Sequence, residues 1–135
     1  MWTSPVASRL GFSQGDLLME VGRSSDVDES IRSQIQELTG TQFLSEDAQE
    51  VVDGVLLWFR DGDGDLVDEL VDALTYLSES GPIWLLTPKM GREGHVEPSD
   101  IQDAAPTAGL SQTQTFPIAK DWTATRLVAR KAGKR

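Results

Sequence analysis

Three stretches of this chain hold residue types at spacings that can do chemistry. Gly22-Arg23-Ser24-Ser25-Asp26 follows the apolar run Leu17-Leu18-Met19-Glu20-Val21. Arg60 leads into Asp61-Gly62-Asp63-Gly64-Asp65. Thr87-Pro88-Lys89-Met90-Gly91-Arg92-Glu93-Gly94-His95 closes a third apolar run. Arg23, Lys89 and Arg92 have the charge to hold an anion. The alternating acids from Asp61 resemble the opening of a calcium loop, but the sixth position is Leu66 where Gly is needed and the twelfth is Asp72 where Glu is needed. The run therefore reads as a loop whose Asp65 caps a helix. His95 is the only histidine, so a serine triad would have to use it, with Ser24, Ser25 or Ser99 as nucleophile. No Gly-x-Ser-x-Gly turn is there to strain such a serine. His95 reads instead as a loop residue hydrogen-bonded near a helix start at Glu97-Pro98. With no cysteine, disulfides and thiolate chemistry are excluded, and one histidine excludes a multi-histidine metal site within one chain.

These stretches need elements to position them. Asp16 to Gly22 reads as a buried strand. Asp28-Glu29-Ser30 offers caps and first-turn acids, and Ile31, Ile35 and Leu38 share one helical face before Gly40. Thr41 to Leu44 reads as a brief extended piece, and Ser45-Glu46-Asp47 as the cap of a single turn through Glu50. Val55 to Phe59 is continuously apolar, as in a strand covered on both faces. From 65 to 79, Leu66, Leu70, Leu74 and Leu77 form a helical stripe with Val67 and Val71 beside it. Ile83 to Thr87 is a third buried strand. A short helix starts at Glu97-Pro98-Ser99-Asp100, with Ile101, Ala104 and Ala105 inward and Pro106 after them. Ser111 to Ile118 and Trp122 to Ala129 alternate and join at Lys120-Asp121, which predicts an antiparallel hairpin. Trp58 and Trp84 belong to the core. Trp122 opens the hairpin partly exposed, and Trp2 lies in a segment without clear structure.

Strand and helix alternate until the final hairpin. That order predicts a small three-layer Rossmann-like α/β domain over residues 1–130, its sheet mostly parallel, with a C-terminal antiparallel hairpin. Residues 131–135 form a basic tail. The expected site is the rim where strands end, because open α/β sheets bind ligands there. Gly22, Arg23, Ser24, Asp61, Thr87, Lys89, Arg92 and His95 are its candidate residues.

The net charge of −10 repels phosphate backbones, which argues against nucleic-acid binding. No apolar run approaches the ~20 residues of a membrane helix, and no secretory leader is visible in Met1 to Pro5. A cytoplasmic location away from the membrane is the expectation. The hairpin leaves an edge strand open to pairing, so a homodimer is compatible with the sequence.

Leu17-Leu18-Met19-Glu20-Val21-Gly22 resembles the opening of the cofactor motif of class I S-adenosylmethionine-dependent methyltransferases: an apolar strand, an acid, an apolar residue and Gly. That motif continues rich in glycine, whereas this chain continues Arg23-Ser24-Ser25-Asp26. Only about 30 residues separate the first two strands, which leaves no room for the middle units that complete such a cofactor site. Val52 to Trp58, Asp61 to Ala73, Ile83 to Lys89, Gly94 to Ile101, Ala104 to Gln112 and Lys120-Asp121-Trp122 resemble an actinobacterial family of small proteins of unknown function. That resemblance implies a bacterial, intracellular, single-domain protein. The expected function is a non-enzymatic binding or regulatory module without cofactor, contacting a protein partner or a small anionic ligand at the rim. The rival is a reduced methyltransferase using S-adenosylmethionine. The two differ in whether the space over Gly22 is open or filled by side chains.

Overall fold

The structure is a computed structural model that describes residues 9–45, 48, 50–78 and 81–130. Trp2, most of the turn expected between Ser45 and Glu50, and the basic tail lie outside them. The elements run β1 (Leu18–Val21), α1 (Glu29–Thr39), β2 (Gly54–Trp58), α2 (Leu66–Tyr76), β3 (Pro82–Pro88), α3 (Pro98–Thr107), β4 (Leu110–Pro117) and β5 (Trp122–Ala129). They build one five-stranded sheet in the order β1-β2-β3-β5-β4. β1, β2 and β3 pair in parallel, and β5 pairs antiparallel with both β3 and β4. β5 therefore runs against the other four strands, and the three-layer α/β architecture is as expected.

The unbroken apolar strands follow from burial on both faces. Leu56, Trp58, Trp84 and Leu86 point to one side, where Ile31 and Ile35 of α1 and the preceding Leu10 and Phe12 cover them. Val55, Leu57, Ile83 and Leu85 point to the other, beneath Leu70 and Ala73 of α2 and Ile101, Ala104 and Ala105 of α3. Two helices are capped as their sequences predict. Asp28 accepts from the Ile31 amide at 2.9 Å, and Asp65 accepts from the Asp68 amide at 2.9 Å. Gly40 ends α1 in the left-handed region with φ 75°.

Three details differ from the sequence reading. α2 stops at Tyr76 rather than 79, because Leu77 turns extended and pairs with Val52: the Val52 amide donates to Tyr76 O and the Ser78 amide to Val52 O, both at 2.8 Å. α3 carries Pro106 inside its last turn, where the ring's fixed φ is compatible with helix and only one late hydrogen bond is forgone. Trp122 is buried, not partly exposed. It packs edge-on against Trp58 with ring centroids 4.8 Å apart, and its indole N–H donates to Asp26 O at 3.2 Å.

Trp84 is fully enclosed and its indole N–H donates to Leu10 O at 3.1 Å, fastening the N-terminal segment to the sheet. Trp84→Ala is expected to cost about 3–5 kcal/mol through the cavity it leaves, read as a lower midpoint in urea unfolding followed by circular dichroism.

Candidate functional site

Gly22 leaves β1 with φ +83°, and a Cβ placed there would overlap the Trp58 carbonyl oxygen of β2. Only glycine allows this crossing of one strand end over its neighbour. Directly above it lies Arg60, the first polar residue after β2 and Phe59. Its Nη1 donates to Gly22 O at 2.8 Å, to Trp58 O at 3.2 Å and to Asp63 at 3.1 Å. Its Nε and Nη2 grip both carboxylate oxygens of Asp26, at 3.0 and 2.6 Å. The guanidinium carbon lies 5.3 Å from the Trp122 ring centroid. Gly94 (φ +85°) passes so close that a Cβ there would press on the Arg60 side chain. The Arg60 side chain is only 14% exposed.

Electrostatics follow this geometry. The hydrogen bonds that Arg60 donates to Asp26 hold the Asp26 carboxyl below its ordinary range and hold the Arg60 guanidinium more firmly protonated. Beneath the rim, Glu20 of β1 accepts from Arg32 Nε at 2.6 Å, Arg32 Nη2 at 2.8 Å and the Trp58 indole N–H at 2.8 Å. Its side chain is 7% exposed. The hydrogen bonds that Arg32 donates to Glu20 raise its pKa above that of a free guanidinium.

The structure brings part of the predicted set together. Gly22, Arg23 and Ser24 line a shallow cleft of about 350 Å³ on one side of Arg60. Asp61 and Arg92 line another of about 390 Å³ on the other side, with Asp26, Pro88, Glu93, Asp121 and Trp122. Arg23 is paired with Glu29 at 3.1 Å and Arg92 with Asp121 at 2.8 Å. Lys89 is held by its amide, which donates to Asp121 O at 2.9 Å. Thr87 and His95 sit apart from the rim in a small cavity of about 90 Å³ bordered by Thr115, Thr123 and Thr125. His95 bonds through Nδ1 to Pro88 O at 2.9 Å, and its Nε2 is 3.8 Å from the Glu97 carboxylate, so neither nitrogen serves Ser24, Ser25 or Ser99. Asp63 of the acidic loop is spent on Arg60, whose backbone amide also donates to it at 3.0 Å. Arg60 and Asp26 are the residues that sequence reasoning did not single out. Their signal was position: a cation at the first polar step after a buried strand, and an acid in the loop beside it.

The profile of a family described as "Protein of unknown function (DUF3052)" matches residues 7–131. The chain belongs to that family. An uncharacterized protein of Mycobacterium tuberculosis (strain ATCC 25618 / H37Rv) is 51% identical over 134 residues, spanning 98% of this chain and 84% of the relative, and one of Mycobacterium bovis matches equally. The fold is similar to that of solved methyltransferases. A SAM dependent methyltransferase from Aquifex aeolicus superposes with TM-score 0.60 at 13% identity, covering 90% of this chain and 86% of that one. A TehB-like SAM-dependent methyltransferase from Corynebacterium glutamicum gives TM-score 0.57 at 10% identity, covering 95% and 89%. An O-methyltransferase of neocarzinostatin biosynthesis, in complex with S-adenosyl-L-homocysteine, gives 0.64 at 13%, covering 94% of this chain and 51% of its own. At these identities the likeness concerns the fold.

The backbone approach at Gly22 is taken by Trp58 O and Arg60. The motif's acid, Glu20, is enclosed by Arg32 and Trp58. No described helix is long and apolar enough to cross a membrane.

Removing the Glu20 carboxylate takes the acceptor from Arg32 Nε, Arg32 Nη2 and the Trp58 N–H beneath the rim, and leaves Arg32 only its Nη1 bond to Glu29. Glu20→Ala is expected to lose about 3 kcal/mol, measured by denaturant unfolding. The lowered pKa of Asp26 stabilises the fold above the free carboxyl value of 3.8, and that stabilisation is lost as pH falls below it. Asp26→Asn should therefore flatten the acid limb of stability below about pH 4, seen as a smaller drop in Tm between neutral and acidic buffer.

Proposed function

We propose that this protein is a non-enzymatic binding module built on the methyltransferase fold. The observation that carries the reading is Arg60, whose guanidinium occupies the Gly22 and Trp58 carbonyls at the crossing of β1 and β2. Arg23 and Arg92 face Glu29 and Asp121, which leaves Lys89 as the rim candidate for an anion without a carboxylate of its own. The rim therefore favours a protein partner over a small anionic ligand. Met90 supports this: it stands 79% exposed on the loop that carries Lys89 and Arg92, an apolar tip of the kind that anchors protein contacts.

The test is thermal unfolding of the wild-type chain and Arg60→Ala with S-adenosylmethionine. A ligand at 100 times its Kd adds about 2.7 kcal/mol, which raises the midpoint by several degrees in a domain this size. No shift is expected for the wild type. A shift confined to Arg60→Ala marks Arg60 as the group that closes the crevice. A shift in the wild type overturns the reading and makes the chain a reduced methyltransferase.

A further inference from the structure

Seven arginines lie among the described residues. Arg23, Arg32, Arg60 and Arg92 each pair with a carboxylate. Arg9, Arg126 and Arg130 pair with none among the described residues. Arg126 of β5 donates to the Thr113 hydroxyl at 3.2 Å, and the Arg9 guanidinium carbon lies 4.0 Å from the Phe116 ring centroid. Arg130 leaves β5 with its amide donating to Gly109 O at 3.0 Å, beside the start of β4. Register places Arg126 opposite Trp84 and Gln114, on the α1 side of the sheet, where Phe116 also points. The Arg9 and Arg126 guanidinium groups thus lie along β4, and the Arg130 backbone stands beside its start.

β4 is also the open edge of the sheet among the described residues. The opposite edge, β1, is covered: the Glu20 amide donates to Leu44 O and the Leu44 amide to Leu18 O, both at 2.9 Å. β4 pairs with β5 alone. Its exposed stretch Ser111-Gln112-Thr113-Gln114-Thr115 carries no charge, so none of the usual edge guards of Lys or Glu side chains blocks an incoming strand.

We propose that β4 accepts an acidic, extended segment of a partner protein as a sixth strand. Main-chain hydrogen bonds give such a strand its affinity, and alternate side chains fall on one face. On that face its carboxylates meet Arg9 and Arg126, and at the start of β4 they come within reach of Arg130. The net charge of −10 does not come from β4, which carries no charge of its own. The rim carboxylates lie beyond Trp122, about 13 Å of strand from Arg126, further than the screening length of about 8 Å at physiological salt. The site is independent of the crevice at Gly22, so either reading can fail without the other.

Fluorescence anisotropy of a dye-labelled Val-Glu repeat, matched to the eight residues of β4, tests it with the full chain. Saturable binding is expected, with about tenfold weaker affinity for Arg126→Glu and for Arg130→Glu. A Val-Lys repeat, and the Val-Glu repeat N-methylated on alternate amides, are expected not to bind. Thermal midpoints check that each variant is folded, and Arg126→Gln and Arg130→Gln replace any that is not. No binding by the wild type overturns the proposal. Equal binding of the N-methylated peptide overturns strand addition, and equal binding by the arginine variants overturns the charge recognition. A dimer in sedimentation that the peptide dissociates shows that a second copy holds the edge, and this too overturns it.

Discussion

The carbonyl oxygens of Gly22 and Trp58 meet where β1 and β2 end, and one guanidinium answers both. Parallel strands leave their last carbonyls pointing the same way, and those groups need donors if water is excluded. Arg60 supplies them from the residue that starts the next loop, and its remaining N–H groups take Asp26 and Asp63. A planar fork with five donors can serve carbonyls and carboxylates at once, which a lysine cannot. The group then lies against Trp122, the first residue of β5. β1, β2, β5 and the acidic loop are fastened at one point.

The same solution recurs one step down the strand. Glu20 faces the α1 side of the sheet, and a carboxylate there must be paired or lose much of its solvation. Arg32, on the first turn of α1, grips it with two donors while the Trp58 indole supplies a third. Such a pair contributes little net stability against an apolar alternative. Its effect is positional: it sets where α1 sits over β1 and β2. The acid of the linear motif is used here to hold a helix.

The sheet was legible because its strands obey simple rules. Val55 to Phe59 and Ile83 to Thr87 lack polar alternation and lie buried on both faces, while Trp122 to Ala129 alternates and matches β5 at both ends. The element order then fixed the class. What was not legible depended on contacts between distant residues. Leu77 leaves the helical stripe because Val52 offers it a backbone partner. Trp122 is buried because Trp58 and Arg60 close over it. The three rim loops followed from strand ends. The ion pairs there did not, since nothing local couples Arg60 to Asp26 or Arg92 to Asp121. Position alone made Arg23, Lys89 and Arg92 resemble an anion site, and their partners change what the rim can do.

The short crossover from β1 to β2 has a consequence at both edges. A longer α/β sheet would continue outward past β1 and bury it. Here β1 is terminal, and the two backbone bonds to Leu44 stand in for the missing neighbour. The residues between α1 and β2 are thus enough to close one side. At the other side the chain turns back through β5 and leaves the outer side of β4 unpaired among the described residues. Its register shift near Thr113 twists the edge without charging it. Cations follow the same division. At the rim each arginine has its acid, so charge is balanced within the fold. Around β4 the arginines meet a hydroxyl and an aromatic ring, so backbone and charge remain open along the same strand.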